Sequence, residues 1–183
     1  MPTTDKRRRF TCHEGRLTLK DGREVFIRPI QSTDNDLIID LFNRISPRSR
    51  YKRFLGNMPA LPEDMLHQFT HVDYKTGFAL VALIEENGIQ AIFAVGRYMH
   101  DPLEDNTDLA LAVRDDWQNL GLGKALLTRI ITIAKENGIS RFTSMMDTRN
   151  TIMEKILRDL GYEVKYFLKS LSLIHISEPT RPY

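Results

Sequence analysis

The chain has 183 residues, 42% hydrophobic and 27% charged, with a formal net charge of +2. That balance suits one globular domain with a sizeable core, and the charge is too small for a nucleic-acid partner to be expected. The single cysteine, Cys12, excludes an internal disulfide framework and fits a reducing, cytoplasmic compartment; no apolar run reaches the ~18 residues of a membrane span, so no membrane partner is expected either.

Residues 1–15 read as a disordered lead-in; their basic Lys6 to Arg9 is followed by no apolar stretch of the kind a secretory signal needs. Arg16 to Leu19 and Val25 to Ile30 read as two strands of a hairpin around a Lys-Asp-Gly-Arg-Glu turn. Ser32 or Thr33 then caps a helix whose apolar positions Leu37, Ile38, Leu41, Phe42 and Ile45 recur at helical spacing. Ser46-Pro47 opens a second, short helix, and Pro62 with Glu63 and Asp64 opens a third. The period then changes to two. Phe78 to Glu85 and Gln90 to Met99 are strands around a Glu-Asn-Gly turn, and Thr107 to Val113 is the next. A long amphipathic helix from Gly123 ends at Gly138, a strand covers Ser140 to Met146, a helix from Asn150 ends at Gly161, and Tyr162 to Lys169 is a last strand. Helices first, then a meander, then two βα units predict an α/β (α+β) domain with a mixed sheet over residues 16–169.

The segment between the strand ending at Val113 and the long helix reads Arg-Asp-Asp-Trp-Gln-Asn-Leu-Gly-Leu-Gly-Lys. A helix N-terminus carries unpaired N–H groups and partial positive charge, so it holds anions, and Gly121 and Gly123 let a diphosphate approach the backbone. The spacing is not that of a Walker A loop, and Leu126 stands where a dinucleotide fingerprint has its third glycine. Tight packing of strand on helix is the competing explanation for the two glycines. In the preceding strand, period-2 alternation puts Leu109, Leu111 and Val113 on a bulky face and Asp108, Ala110 and Ala112 on a small one. Asp108 heads the small face, where a solvated carboxylate at a strand start is the plain reading. Asn150 is placed to cap its helix. His67 and His71 are four residues apart but lack a Glu-x-x-His context and a third ligand, so no metal is expected. Trp117 is expected to pack over the loop, and the cluster Arg48, Arg50, Tyr51, Lys52 and Arg53 to face solvent or an acidic partner, with a bound phosphate or a binding groove as the alternative.

Gln118-Asn119-Leu120-Gly121-Leu122-Gly123 resembles the Gln/Arg-x-x-Gly-x-Gly/Ala loop of the GNAT family of N-acetyltransferases, and Asn150, Met153, Ile156, Gly161 and Tyr162 are similar to that family's next block. Ser46 to Phe54 and Arg114 to Gln118 resemble segments of its bacterial protein-lysine-acetyltransferase branch. The resemblance implies acetyl-CoA as co-substrate, held at the pyrophosphate by the amides of Asn119, Leu120, Gly121, Leu122, Gly123 and Lys124, with a side-chain contact from Gln118. It implies that Ala110, Leu111 and Ala112 pair with pantetheine and polarise the thioester, that Asn150 lies beside the coenzyme, and that Asp108 stands where the branch has a catalytic Glu. Asp is one methylene shorter, which favours a water relay. Many relatives carry a Tyr acid seven residues after the Asn; here that position is Leu157, so no acid for the thiolate is assigned.

Leu171 to Arg181 resembles a translated sequencing-library adapter, and 170–183 reads as an artefactual tail. The implied fold, a mostly antiparallel sheet flanked by helices, would then lack its native seventh strand, which in the family lies between the fifth and the sixth. That gap would bare a strand edge unless the β-prone Ser170 to Ser177 filled it. Three functions stay open: transfer of acetyl to an amine such as a protein lysine by direct attack in a ternary complex, acetylation of a small-molecule amine, and non-catalytic binding of acyl-CoA by a regulatory module.

Overall fold

The computed structural model describes residues 13–139, 141–146, 150–166 and 172–177. Cys12 and nearly all of the expected lead-in lie outside them. The strands are β1 (Gly15–Thr18), β2 (Glu24–Pro29), β3 (Gly77–Glu86), β4 (Ile89–Asp101), β5 (Asn106–Val113), β6 (Phe142–Met146), β7 (Glu163–Tyr166) and β8 (Ser172–Ser177). The helices are α1 (Asn35–Arg44), α2 (Pro47–Phe54), α3 (Glu63–Thr70), α4 (Leu122–Glu136) and α5 (Thr151–Asp159). The sheet order is β1-β2-β3-β4-β5-β6-β8-β7, and among the described residues only β5 and β6 run parallel. The fold class is the expected one. Among the described residues, no helix is long and apolar enough to cross a membrane.

Local chemistry accounts for the connections. The β3–β4 turn places Asn87 and Gly88 at φ 53° and 77°, the left-handed pair that matches the twist of a hairpin. Ser46 caps α2, its hydroxyl accepting from the Ser49 N–H at 3.2 Å, and Pro47 supplies the first helical φ. The cap of α1 is not Ser32 or Thr33 but Asp34, and Asp34 makes no capping bond within the helix. Its carboxylate is taken by the Arg28 guanidinium, at 2.7 and 2.8 Å, and by the Gln31 N–H. Both partners of that ion pair are buried, and a bidentate guanidinium outcompetes a single amide for a buried carboxylate.

The core has two halves, one on each face of the sheet. Leu109, with Leu122, Leu126 and Ile130 of α4 and Leu157 of α5, belongs to one. Ile38 and Leu41 of α1, Leu66 of α3 and Val81 of β3 form the other, and Ala112 packs against it. The alternation along β5 therefore divides as expected, with the bulky face under α4 and the small face toward α1–α3.

The place expected to be vacant beside β6 is filled. β8 runs antiparallel to both neighbours, with Phe142↔Ile176 through Met146↔Ser172 on one side and Glu163↔Ser177 through Tyr166↔Ile174 on the other. Two bare strand edges offer rows of backbone donors and acceptors, and the β-prone run Leu173 to Ile176 pairs with both. The rest of the 170–183 tail lies outside the described residues.

Candidate active site

β5 and β6 share one register pair, Asp108↔Thr143. Past Asp108 the two strands diverge, and α4 starts beside the opening. The approach to α4 passes through Asn119 at φ 64° and Gly121 at φ 88°; the second value is the left-handed region that favours glycine. Gly121 stands at the helix cap with no side-chain capping bond, so the N–H groups of Leu122, Gly123 and Lys124 open the helix without intrahelical acceptors. Gly123 has a different duty. A Cβ there would sit 3.1 Å from Leu111 Cδ2 and 3.6 Å from Ile156 Cδ1, so the bare Cα lets the first turn of α4 lie against β5 and α5. The two readings of the glycines are both realised, one at each position.

These elements bound a cleft of about 600 Å³. Leu111, Ala112, Gln118, Asn119, Gly121, Gly123, Lys124 and Asn150 line it. Ala110, Leu120 and Leu122 do not: Leu122 is buried in the core under the loop, Leu120 packs against the same core and accepts from the Lys20 N–H at 3.2 Å, and Ala110 faces a neighbouring cavity. The Gln118 side chain is turned inward, donating to the Val113 carbonyl at 3.0 Å, where it ties the end of β5 to the loop. Asn150 occupies the cap position of α5 but makes no capping bond, which leaves its amide on the cleft wall.

Lys20, Lys52, Arg53 and Lys155 also line the cleft, and with Lys124 they make five cations facing one acid, Asp159. Such a wall attracts a polyanion. Lys20 comes from the β1–β2 turn and Lys155 from α5; nothing local in the sequence marks either, because only the tertiary fold brings them to the loop. The basic run of α2 is divided. Arg48 is exposed, Arg50 donates to the carbonyls of Ile45 and Asn43 at the end of α1, and Lys52 and Arg53 face the cleft.

α2 is bound to the loop by a polar clasp. Asp115 accepts from the Ser46 N–H and hydroxyl, each at 2.8 Å, and from the Ser49 hydroxyl at 2.7 Å. Thus the Ser-Pro-x-Ser segment and the Arg-Asp-Asp-Trp segment form one structural unit. Beneath it Trp117 lies between Phe93, with centroids 4.3 Å apart, and the Arg23 guanidinium, 3.8 Å from the ring centroid. Arg114 grips Asp116 at 2.7 and 2.8 Å and Glu86 at 2.6 Å; Glu86 also accepts from Arg44.

Burial pushes the Asp115 carboxyl up, but the hydrogen bonds from Ser46 and Ser49 outweigh it and leave the group below its ordinary value. The hydrogen bonds from Arg114 and then Arg44 hold Glu86 at about 2. Both folded values are depressed, so the stability these groups contribute is complete above the ordinary carboxylate range and is lost as the pH falls through the folded values. Between pH about 5 and about 2 the melting temperature is expected to fall, and Glu86→Gln is expected to flatten that fall. A variant whose melting temperature tracks the parent over the whole range refutes the assignment to Glu86.

Asp108 is exposed, sits opposite Met99 on β4 and lies off the cleft wall. Its field reaches Arg53 and Arg97 and partly offsets the effect of their burial. Leu157 is fully buried in the core and presents no hydroxyl to the cleft. His67 and His71 stack, with ring centroids 3.9 Å apart, and among the described residues no group of three or more His, Cys, Asp or Glu could hold a metal.

Comparison with known proteins agrees with this architecture. Acetyltransferase PA5475 of Pseudomonas aeruginosa is 33% identical over 145 residues, 79% of this chain and 78% of that protein. The GNAT domain of S. lividans PAT superimposes with a TM-score of 0.81 at 29% identity, covering 90% of this chain and 96% of that one. The Salmonella typhimurium protein yncA, solved with its cofactor acetyl-CoA, shares the fold at a TM-score of 0.63 and 19% identity, covering 83% and 91%. A family model described as the acetyltransferase (GNAT) domain matches residues 24–163, and the chain thus belongs to the GNAT family of acetyltransferases.

Proposed function

We propose that this chain moves an acetyl group from acetyl-CoA to an amine by direct attack in a ternary complex. The observation that carries the proposal is the cleft: a helix N-terminus opened by a left-handed glycine and faced by five cations, meeting β5 where that strand parts from β6. The residues present fit the coenzyme. Its diphosphate matches the α4 amides and Lys124, its third phosphate is served by the lysines of the rim, and the acetyl end is directed along Leu111 and Ala112.

The strand's remaining duty is orientation and charge stabilisation. A backbone N–H of the Ala110 to Ala112 segment donates to the thioester oxygen as negative charge develops on it. The amine nitrogen forms a bond to the carbonyl carbon and the carbon–sulfur bond breaks. Asp108 accepts the ammonium proton through a water, since its short side chain stands off the cleft. With Leu157 in the core, the departing thiolate takes a proton from solvent; its ordinary value of ~8.5 makes that favourable near neutral pH.

Incubation with acetyl-CoA and a panel of amines that includes lysine peptides, followed by mass spectrometry, tests the reading. Release of coenzyme A in step with an acetylated amine is the expected result. Tight binding of acetyl-CoA with no acetylated product from any amine would instead identify a regulatory binding module.

A further inference from the structure

A second cavity, of about 40 Å³, lies between the Ala110 and Ala112 face of β5 and helices α1–α3. It shares Ile45, Arg53 and Ala112 with the large cleft, so it adjoins the place where the proposed function puts the acetyl group. Its walls are apolar apart from Arg53 and Arg97.

Arg97 is 7% exposed, and its Nη1 is buried with no hydrogen-bond partner. Among the described residues its guanidinium has no ion pair. Its neighbour is the ring of Phe69, whose centroid lies 4.5 Å from the Arg97 Cζ and 5.8 Å from the Arg53 Cζ. Burial first, and repulsion from Arg53 second, pushes Arg97 down to about 10, which leaves it cationic at neutral pH. Two guanidinium groups are therefore concentrated beside a small apolar cavity, with no acceptor on either among the described residues. Buried charge in native proteins is paired, and the fork of a guanidinium is matched by a planar two-oxygen anion.

We infer that the amine acceptor carries a carboxylate near its nucleophilic nitrogen, bound by Arg97 together with Arg53, so that the substrate class is a small amino carboxylate with an apolar side chain. The inference rests on the acetyl-transfer reading for the amine but not for the carboxylate. The cavity has room for roughly three water-sized groups at ~10–15 Å³ each, which suits a carboxylate. Asp108 stands on the same face of β5 as Ala110 and Ala112, and its field reaches both arginines. The carboxylate end of a zwitterion then lies at the arginines and its ammonium end toward Asp108. An internal lysine of a protein offers no free carboxylate at that distance.

The test compares kcat/KM for apolar amino acids, their carboxamides and lysine peptides, with acetyl-CoA affinity followed separately. The acids are expected to exceed the amides by at least ~100-fold, since a site built for a polar group rejects the analogue that lacks it, and Arg97→Met is expected to abolish the difference while acetyl-CoA binds as before. That variant removes an unpaired buried charge, so its melting temperature is expected not to fall; Arg53→Gln reads the same selectivity from the half-buried partner. Calorimetry with N-acetyl amino acids and their carboxamides reports the site without turnover. Equal kcat/KM for acid and amide, or lysine peptides outpacing free amino acids, overturns the inference and leaves acetyl transfer standing. If no amine is acetylated the transfer reading fails, and calorimetry alone decides: acid-selective binding lost in Arg97→Met upholds the carboxylate site, and no binding to the parent overturns it.

Discussion

Asp108→Ala is expected to lower kcat by ~10²- to 10⁴-fold, the range for loss of a general base, while acetyl-CoA affinity stays at the parent value. The second half follows from position: Asp108 lies off the wall of the large cleft. The first half follows from the strand. Asp108 heads the face that continues through Ala110 and Ala112, at the last residue where β5 and β6 still pair, so it stands at the mouth of the opening and not within it. An exposed carboxylate there is solvated, which is what a water relay needs. Two controls separate a base from a mere charge beside the arginines. Asp108→Glu, longer by one methylene, is expected to restore most of the rate, whereas Asp108→Asn keeps shape and loses it. An alanine variant with unchanged turnover would falsify the assignment.

Much of this site is local information. The period-2 run from Asp108 to Val113 distributes into the two core halves because a strand alternates its faces whatever surrounds it. Gly121 and Gly123 announce a backbone that must be approached closely, and Ser46-Pro47 announces a helix start; each is a property of a few consecutive residues. What the chain conceals is whatever depends on distant segments meeting. Lys20 is an unremarkable turn lysine until the β1–β2 hairpin brings its backbone to Leu120. Ser49 and Asp115 are 66 positions apart, yet their hydrogen bond ties α2 to the loop. Asp34 was not legible as an ion-pair partner because its nearest sequence signal was the start of a helix, and Arg28 wins it. Within its apolar strand Arg97 reads as the solvent-facing member of an alternation; in the fold its guanidinium is buried, with the Phe69 ring beside it.

A chain ended after Tyr166 is expected to melt at a temperature roughly 10 °C lower, corresponding to a loss of ~3–5 kcal/mol at ~2–4 °C per kcal/mol for a domain of this size. The expectation comes from sheet order. β7 has one strand neighbour, β8, so removing β8 detaches β7 from the ladder and leaves it held by α5 and the buried Val164. β6 is left with its single register pair to β5. The edge so bared would be open to pairing with another chain, and the loss of melting temperature is expected to come with concentration-dependent association by light scattering. The consequence for function is indirect and separable. The helix α4 rests on β3, β4 and β5, so acetyl-CoA binding at low temperature is expected to persist, weakened where Asn150 and α5 form the far wall. A shortened chain with the parent's melting temperature would mean that residues 172–177 only occupy the gap. A fall as large as expected would mean that they hold the second half of the sheet in place, whatever the origin of their sequence.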